Sequence, residues 1–196
     1  WSAALGGSQW DEGLAVATDA EGGVVAAGCF KSAELDVAGA VLTNAASGQC
    51  DLYLARFSGT GELLWAVDAG SGGEDTAASV SVGEGGVVLL CGTYDGAGLD
   101  FGGGELAAGG SNDVFVAAYS PEGEHLFSSG FGGEGAESCA GIAAAEGGGF
   151  AIAGTFTGTG LDFGTGPLGN AGSTDAFVAA FDSEGVVLWA QSFGGN

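Results

Sequence analysis

The sequence predicts an all-β chain of β-propeller-type blades: three four-stranded antiparallel repeats of about 62 residues plus one surplus terminal strand. Three observations carry this. The chain repeats itself along its whole length, each repeat holds short apolar runs punctuated by glycine turns, and those runs are apolar on both faces. Trp65-Ala66 recurs as Trp189-Ala190, with Trp1-Ser2 and Phe127-Ser128 in the same phase. Leu35-Asp36-Val37 matches Leu99-Asp100-Phe101 and Leu161-Asp162-Phe163. Asp51-Leu52-Tyr53-Leu54-Ala55 matches Asp113-Val114-Phe115-Val116-Ala117 and Asp175-Ala176-Phe177-Val178-Ala179, at a spacing of 62 residues both times. The units are therefore 1–64, 65–126 and 127–188, and 189–196 begins a fourth.

Residues 1–7 read as a lone outer strand. Starting inside the second unit, strand-like runs follow at 78–82, 87–94, 114–119 and 124–130, the last crossing into the next unit. Gly83, Gly85 and Gly86 separate the first pair, and Ser120-Pro121-Glu122-Gly123 separates the last pair. Both are hairpin punctuation with glycine where positive φ is needed. A longer excursion carrying Leu-Asp-Phe-Gly joins the second run to the third, and no sustained helical period occurs. Along 52–57, Tyr53, Ala55 and Phe57 alternate with Leu52, Leu54 and Arg56, so both faces are built for burial. A sheet with one wet face would alternate apolar with polar. Sheets stacked radially on like sheets satisfy the pattern; a β-solenoid is the rival, though its repeats are usually shorter and lack paired hairpins.

The run Trp189 to Gly195 (Trp-Ala-x-x-Phe-Gly-Gly), the hairpin ending Gly154-Thr155-Phe156, Leu161-Asp162-Phe163-Gly164 and Asp175 to Ala179 together resemble the bacterial β-propeller repeat called SBBP. The resemblance covers the whole chain. It implies a blade fold and an extracellular or cell-surface setting, and it supplies no catalytic residues. The first unit departs most, with Val37 where the others carry Phe, and Ser71 replaces one glycine of the Gly-Gly pair in the second.

Four copies of the Trp-bearing outer strand accompany three copies of the others. Three blades fall short of the roughly 4–8 of closed propellers. The chain is therefore expected to be part of a longer propeller, or to self-associate as a homo-oligomer, either closing a ring or adding its surplus strand to a neighbour.

Lys31 and Arg56 are the only Lys or Arg residues against 25 acids, for a net charge of −23. Nucleic acid and anionic membrane are poor partners for such a surface. No apolar run approaches the roughly 20 residues that cross a bilayer. With 46% hydrophobic residues, the 43 glycines do not signal disorder.

Cys29 ends the second run of unit one and Cys50 opens the third, so antiparallel pairing predicts a Cys29–Cys50 disulfide at the base of the excursion. Their equivalents are Thr93 with Asn112 and Thr155 with Thr174, so the pair comes and goes together. Cys91 and Cys139 fall in different units and are the candidates for a bridge between neighbouring blades. Asp36, Asp100 and Asp162 recur, as do Asp51, Asp113 and Asp175. Recurrence in every unit favours carboxylates that accept backbone N–H bonds. Loose calcium binding by the loop acids is the alternative, without a ligand spacing of the EF-hand kind. Trp10 is unique to the first unit, its equivalents being Glu74 and Ala136, which makes it the candidate contact for a sugar or partner.

No cofactor or catalytic set is expected. His125 lies in a turn-to-strand segment without a Gly-x-Ser-x-Gly context, and no phosphate-binding Gly-Lys-Thr occurs. The expected function is a non-catalytic extracellular propeller module that binds protein or glycan. The alternative is a structural subunit that assembles into rings or filaments; an enzyme ranks behind both.

Overall fold

The computed structural model describes residues 1–46 and 48–195, and the chain is all-β. The strands in chain order are β1 (Leu5–Gly6), β2 (Asp11–Thr18), β3 (Val24–Phe30), β4 (Glu34–Val37), β5 (Ala40–Thr43), β6 (Asp51–Phe57), β7 (Leu63–Ala69), β8 (Thr76–Val82), β9 (Val88–Tyr94), β10 (Asp113–Tyr119), β11 (His125–Phe131), β12 (Glu137–Ala144), β13 (Phe150–Phe156), β14 (Asp175–Phe181) and β15 (Val187–Phe193). They form three four-stranded antiparallel sheets, β2-β3-β6-β7, β8-β9-β10-β11 and β12-β13-β14-β15, and one three-stranded sheet, β1-β4-β5. Each four-stranded sheet runs in sequence order and ends on the strand carrying Trp65, Phe127 or Trp189. The four runs read from the second unit coincide with β8 to β11 within two residues.

The chain ends differ from a simple count of outer strands. Of residues 1–7, only Leu5 and Gly6 are strand, and they pair with Val37 and Asp36 of the first excursion. Residues 189–193 belong to β15 and complete the third sheet.

Burial follows the double-sided apolar pattern. One cluster packs Val25, Leu52 and Leu54 of the first sheet against Val88, Leu90 and Phe115 of the second. Another packs Leu89, Val114 and Val116, from the opposite face of the second sheet, against Phe150, Ile152 and Phe177 of the third. The second sheet is thus enclosed, and every residue of β10 is buried. The first sheet turns its outer face, with Phe30, Tyr53 and Phe57, towards Leu35, Val37 and Leu42 of the small sheet. The third sheet has one covered face, so β14 alternates between buried Phe177, Ala179 and Phe181 and the less buried Ala176, Val178 and Ala180.

A recurring bulge sets the side-chain directions at each outer edge. The register skips Leu64, Leu126 and Leu188, which face solvent, and places Trp65, Phe127 and Trp189 opposite Arg56, Ala118 and Ala180. Trp65 then reaches the next sheet: its ring lies 6.1 Å from that of Tyr119, and its indole N–H donates to the Pro121 carbonyl at 2.9 Å. Trp1 makes the same pair of contacts one unit earlier, with the Phe57 ring at 5.7 Å and the Gly59 carbonyl at 3.1 Å. Phe127 stacks on Phe150 of the third sheet at 5.9 Å.

The receiving turn requires glycine twice over. Gly123 has φ of 88°, and a Cβ there would stand 2.8 Å from the Trp65 ring; Gly61 and Gly185 face Trp1 and Phe127 in the same way.

Disulfides tie the array. Cys29 and Cys50 are bonded across the first sheet, with Cα atoms 5.6 Å apart, and close a loop of 21 residues. Cys91 of β9 is bonded to Cys139 of β12, with Cα atoms 6.2 Å apart, and joins the second sheet to the third. On the loop-entropy model these bonds stabilise by about 3 and about 4 kcal/mol.

Alanine at Gly123 is expected to cost more stability than alanine at Gly166, whose φ is also positive, at 104°, but whose missing Cβ faces open space. The difference, read by urea unfolding, isolates the Trp65 contact and should be roughly 1–3 kcal/mol. Equal losses would mean that the ring carries none of the junction.

Candidate functional site

Trp10 immediately precedes β2, and its carbonyl accepts the Lys31 N–H at 2.9 Å just past the end of β3. That bond holds the two side chains side by side. The Lys31 ammonium sits 6.0 Å over the indole ring and pairs with Glu74 of the next unit at 2.6 Å. Trp10 is 54% exposed. It borders an open cleft of about 400 Å³, whose wall includes the Cys29–Cys50 disulfide, with Glu12, Leu14 and Thr76 alongside. An apolar ring beside carboxylates, a hydroxyl and one ammonium can stack on a flat apolar surface and hydrogen-bond to hydroxyls around it. The sequence singled out Trp10; it did not show the Lys31–Glu74 pair, because those residues are 43 apart and meet only through stacking of the first two sheets.

The recurrent carboxylates act on their own backbone. Asp100 accepts the N–H groups of Gly102 and Gly104 at 2.7 and 2.9 Å; Asp162 does the same with Gly164 and Gly166, and Asp36 with Gly39. Asp51, Asp113 and Asp175 accept from Ala45, Gly109 and Ala171 where the excursions return to the sheets. Among the described residues, no group of three or more His, Cys, Asp or Glu side chains is placed to hold a metal ion.

His125 is half-buried, with its imidazole Nε2 3.1 Å from the Ser128 hydroxyl. Its ring packs against Tyr119 at 5.9 Å. Among the described residues no carboxylate hydrogen-bonds to the imidazole. Arg56, the other strong cation, is committed inside the structure. It bonds to Asp19 at 2.9 Å and to the Gly86 and Pro121 carbonyls, spanning the turns of the first two sheets beside a cavity of about 530 Å³.

With both cations so placed, the buried acids at the junctions have no Lys or Arg partner among the described residues. The Asp75 N–H donates to the Cys50 carbonyl between the first two sheets, and the Glu137 N–H donates to the Asn112 carbonyl between the second and third. Desolvation pushes Asp75 up to about 7, with Asp51 nearby adding to it and bonds from Ser71 opposing it. Desolvation likewise raises Asp51 to about 6. Asp113 and Glu137 repeat the arrangement and are raised by burial too. One oxygen each of Asp51, Asp113, Glu137 and Asp175 is buried without a hydrogen-bond partner. The sequence presents Asp51 and Asp113 as backbone acceptors and the loop acids Asp75 and Glu137 as part of a solvated rim; the structure instead buries Asp75 and Glu137, each 24 residues after Asp51 or Asp113, where two sheets meet.

No protein-family model matches the chain, and no curated protein matches it.

Because the folded-state pKa values of Asp75 and Asp51 lie above their unfolded values near 4, the folded state holds these protons more tightly. Stability is therefore greatest below about pH 4–5 for these groups and is lost as pH rises through 6 and 7. Thermal unfolding should show a Tm several degrees higher at about pH 5 than at about pH 8. Asp75→Asn, which mimics the protonated acid, should flatten that dependence, and an unchanged slope would contradict the assignment.

Proposed function

We propose that the chain is a non-catalytic, extracellular β-propeller-type repeat module that acts by binding, with the Trp10 cleft as its contact for a neutral glycan. One observation carries the reading: a half-exposed tryptophan occurs at this place in the first unit alone, beside a cleft wall braced by a disulfide and fringed with hydrogen-bonding groups. Residues fixed by the repeat recur in every unit, whereas Trp10 is replaced by Glu74 and Ala136. A difference confined to one unit is the mark of a local task.

The chemistry of the rim selects the ligand class. Sugar rings stack a face of C–H groups on an indole and present hydroxyls to carboxylates such as Glu12 and Glu74. Lys31 is the one cation beside the cleft and is already paired, and the chain carries a net charge of −23, so anionic glycans are repelled. The propeller-type reading rests on the three like sheets packed face to face and on the resemblance of the repeats to bacterial propeller repeats. The extracellular reading rests on two disulfides; no helix among the described residues is long and apolar enough to cross a membrane. The non-catalytic reading rests on the same resemblance, which supplies no catalytic residues.

A panel of neutral oligosaccharides titrated against the 196-residue chain by calorimetry tests the site. At least one is expected to bind, with Trp10→Ala weakening it at least about tenfold while leaving the melting profile nearly unchanged. Binding that survives Trp10→Ala, or none across the panel, would overturn the assignment of the cleft.

A further inference from the structure

We propose that the open face of the third sheet docks a second copy of this chain, with Trp189 of one copy taking the seat over Gly61 that Trp1 fills in the single chain. The argument is independent of the Trp10 cleft. The structure contains four aromatic knobs in equivalent positions, Trp1, Trp65, Phe127 and Trp189, and three glycine turns that receive one, at Gly61, Gly123 and Gly185. The first three knobs are seated. Trp189, directed to the same face by the same bulge, has no turn glycine against it among the described residues, and Phe193, the equivalent of Leu5 and Phe131, is 54% exposed. Phe131 lies 4.8 Å from Phe163 in the excursion between β13 and β14, so the excursion of the following sheet is what this position meets inside the chain.

The strand faces repeat the same relation. Ala153 and Val178 on the open face are the equivalents of Cys91 and Val116, which are fully buried against the third sheet. At the opposite end, Val16 is 69% exposed while its equivalents Val80 and Ile142 are 7% and 8% exposed against a preceding sheet. The two ends of one chain therefore hold the two halves of a contact that the chain makes twice internally. The three rows of the open face, Ala151 to Trp189, Ala153 to Gln191 and Thr155 to Phe193, carry no charge. Two copies at −23 each can meet there without opposing carboxylates across the contact.

Docking requires residues 1–7 to leave, since they occupy the place that β15 of the neighbour must take. Their hold is light. Residues 1–4 are exposed, Trp1 is 62% exposed, and only Leu5 and Gly6 pair with a strand. The contact is head-to-tail, so it closes a ring or propagates as a filament. The Asp11 N–H of one copy would then meet the Thr174 carbonyl of the next, as Asp75 meets Cys50 and Glu137 meets Asn112 within the chain.

Sedimentation velocity of the 196-residue chain across a concentration series up to roughly 100 µM tests this, alongside three variants checked for folding by circular dichroism. The wild type is expected to associate. Trp189→Ala should weaken association at least about tenfold, and Ala153→Arg, which places a charge on an exposed position without touching the core, should do the same. Trp1→Ala should strengthen association, because it frees the seat. A wild type that stays monomeric throughout, association indifferent to Ala153→Arg, or weakening by Trp1→Ala would each overturn the proposal.

Discussion

A sheet that is apolar on both faces has to lie between two other surfaces, and the rest of this molecule follows from that constraint. The second sheet meets it fully: Val88, Leu90 and Phe115 face the first sheet while Leu89, Val114 and Val116 face the third. Among the described residues no sheet of the same kind covers the outer face of the first sheet, which is closed by the excursion hairpin and the short strand at Leu5–Gly6. The divergence of the first unit fits this task. Val37 stands where Phe101 and Phe163 stand in the other units, and it joins a strand ladder instead of a stack of rings. Backbone pairing here replaces aromatic contact.

The junctions between sheets use three devices besides burial, and each is shaped by the composition. The aromatic knob over a turn glycine gives register, because the ring fits only where the next side chain is missing. The Cys91–Cys139 bond spans the second junction, whereas at the first junction Arg56 reaches the turns of both sheets. The acids are the third device. With only two Lys or Arg residues in the chain, carboxylates at the junctions are satisfied by backbone N–H groups or by keeping a proton. A chain with matched numbers of acids and bases could place ion pairs at these points, with two charged groups to desolvate instead of one.

How much of this was legible in the sequence differs by kind of feature. Repeat period, strand positions and the double-sided apolar pattern are local, and β8 to β11 fall where the runs at 78–130 place them. The spacing of Cys29 and Cys50 across one hairpin was legible for the same reason. The fate of residues 1–7 was not. Two residues of a run that matches an outer strand pair instead with the first excursion, a long-range contact the local pattern does not contain. The Trp10 cleft was half legible: the lone tryptophan stood out, but its pairing with Lys31 and Glu74 arises only after two sheets stack. Facing acids such as Asp51 and Asp75 were hidden because charge is read as a surface property, and burial depends on a neighbour the local pattern does not contain.

The two ends of the stack are treated unequally, and that inequality has physical content. A bare sheet face invites association wherever it is flat, apolar and uncharged. The front of the first sheet is covered by elements of its own chain, and β2, its exposed edge, carries Asp11 and Glu12. The back of the third sheet has neither cover nor charge; its outermost strand presents Trp189 and Phe193 in the positions that hold the inner junctions together. Small side chains such as Ala153 and Ala180 leave that face shallow enough for another sheet to approach, as the equivalent positions do between the second and third sheets. The repeat thus carries its own docking rule in every unit, and on the third sheet that rule is met on one face among the described residues.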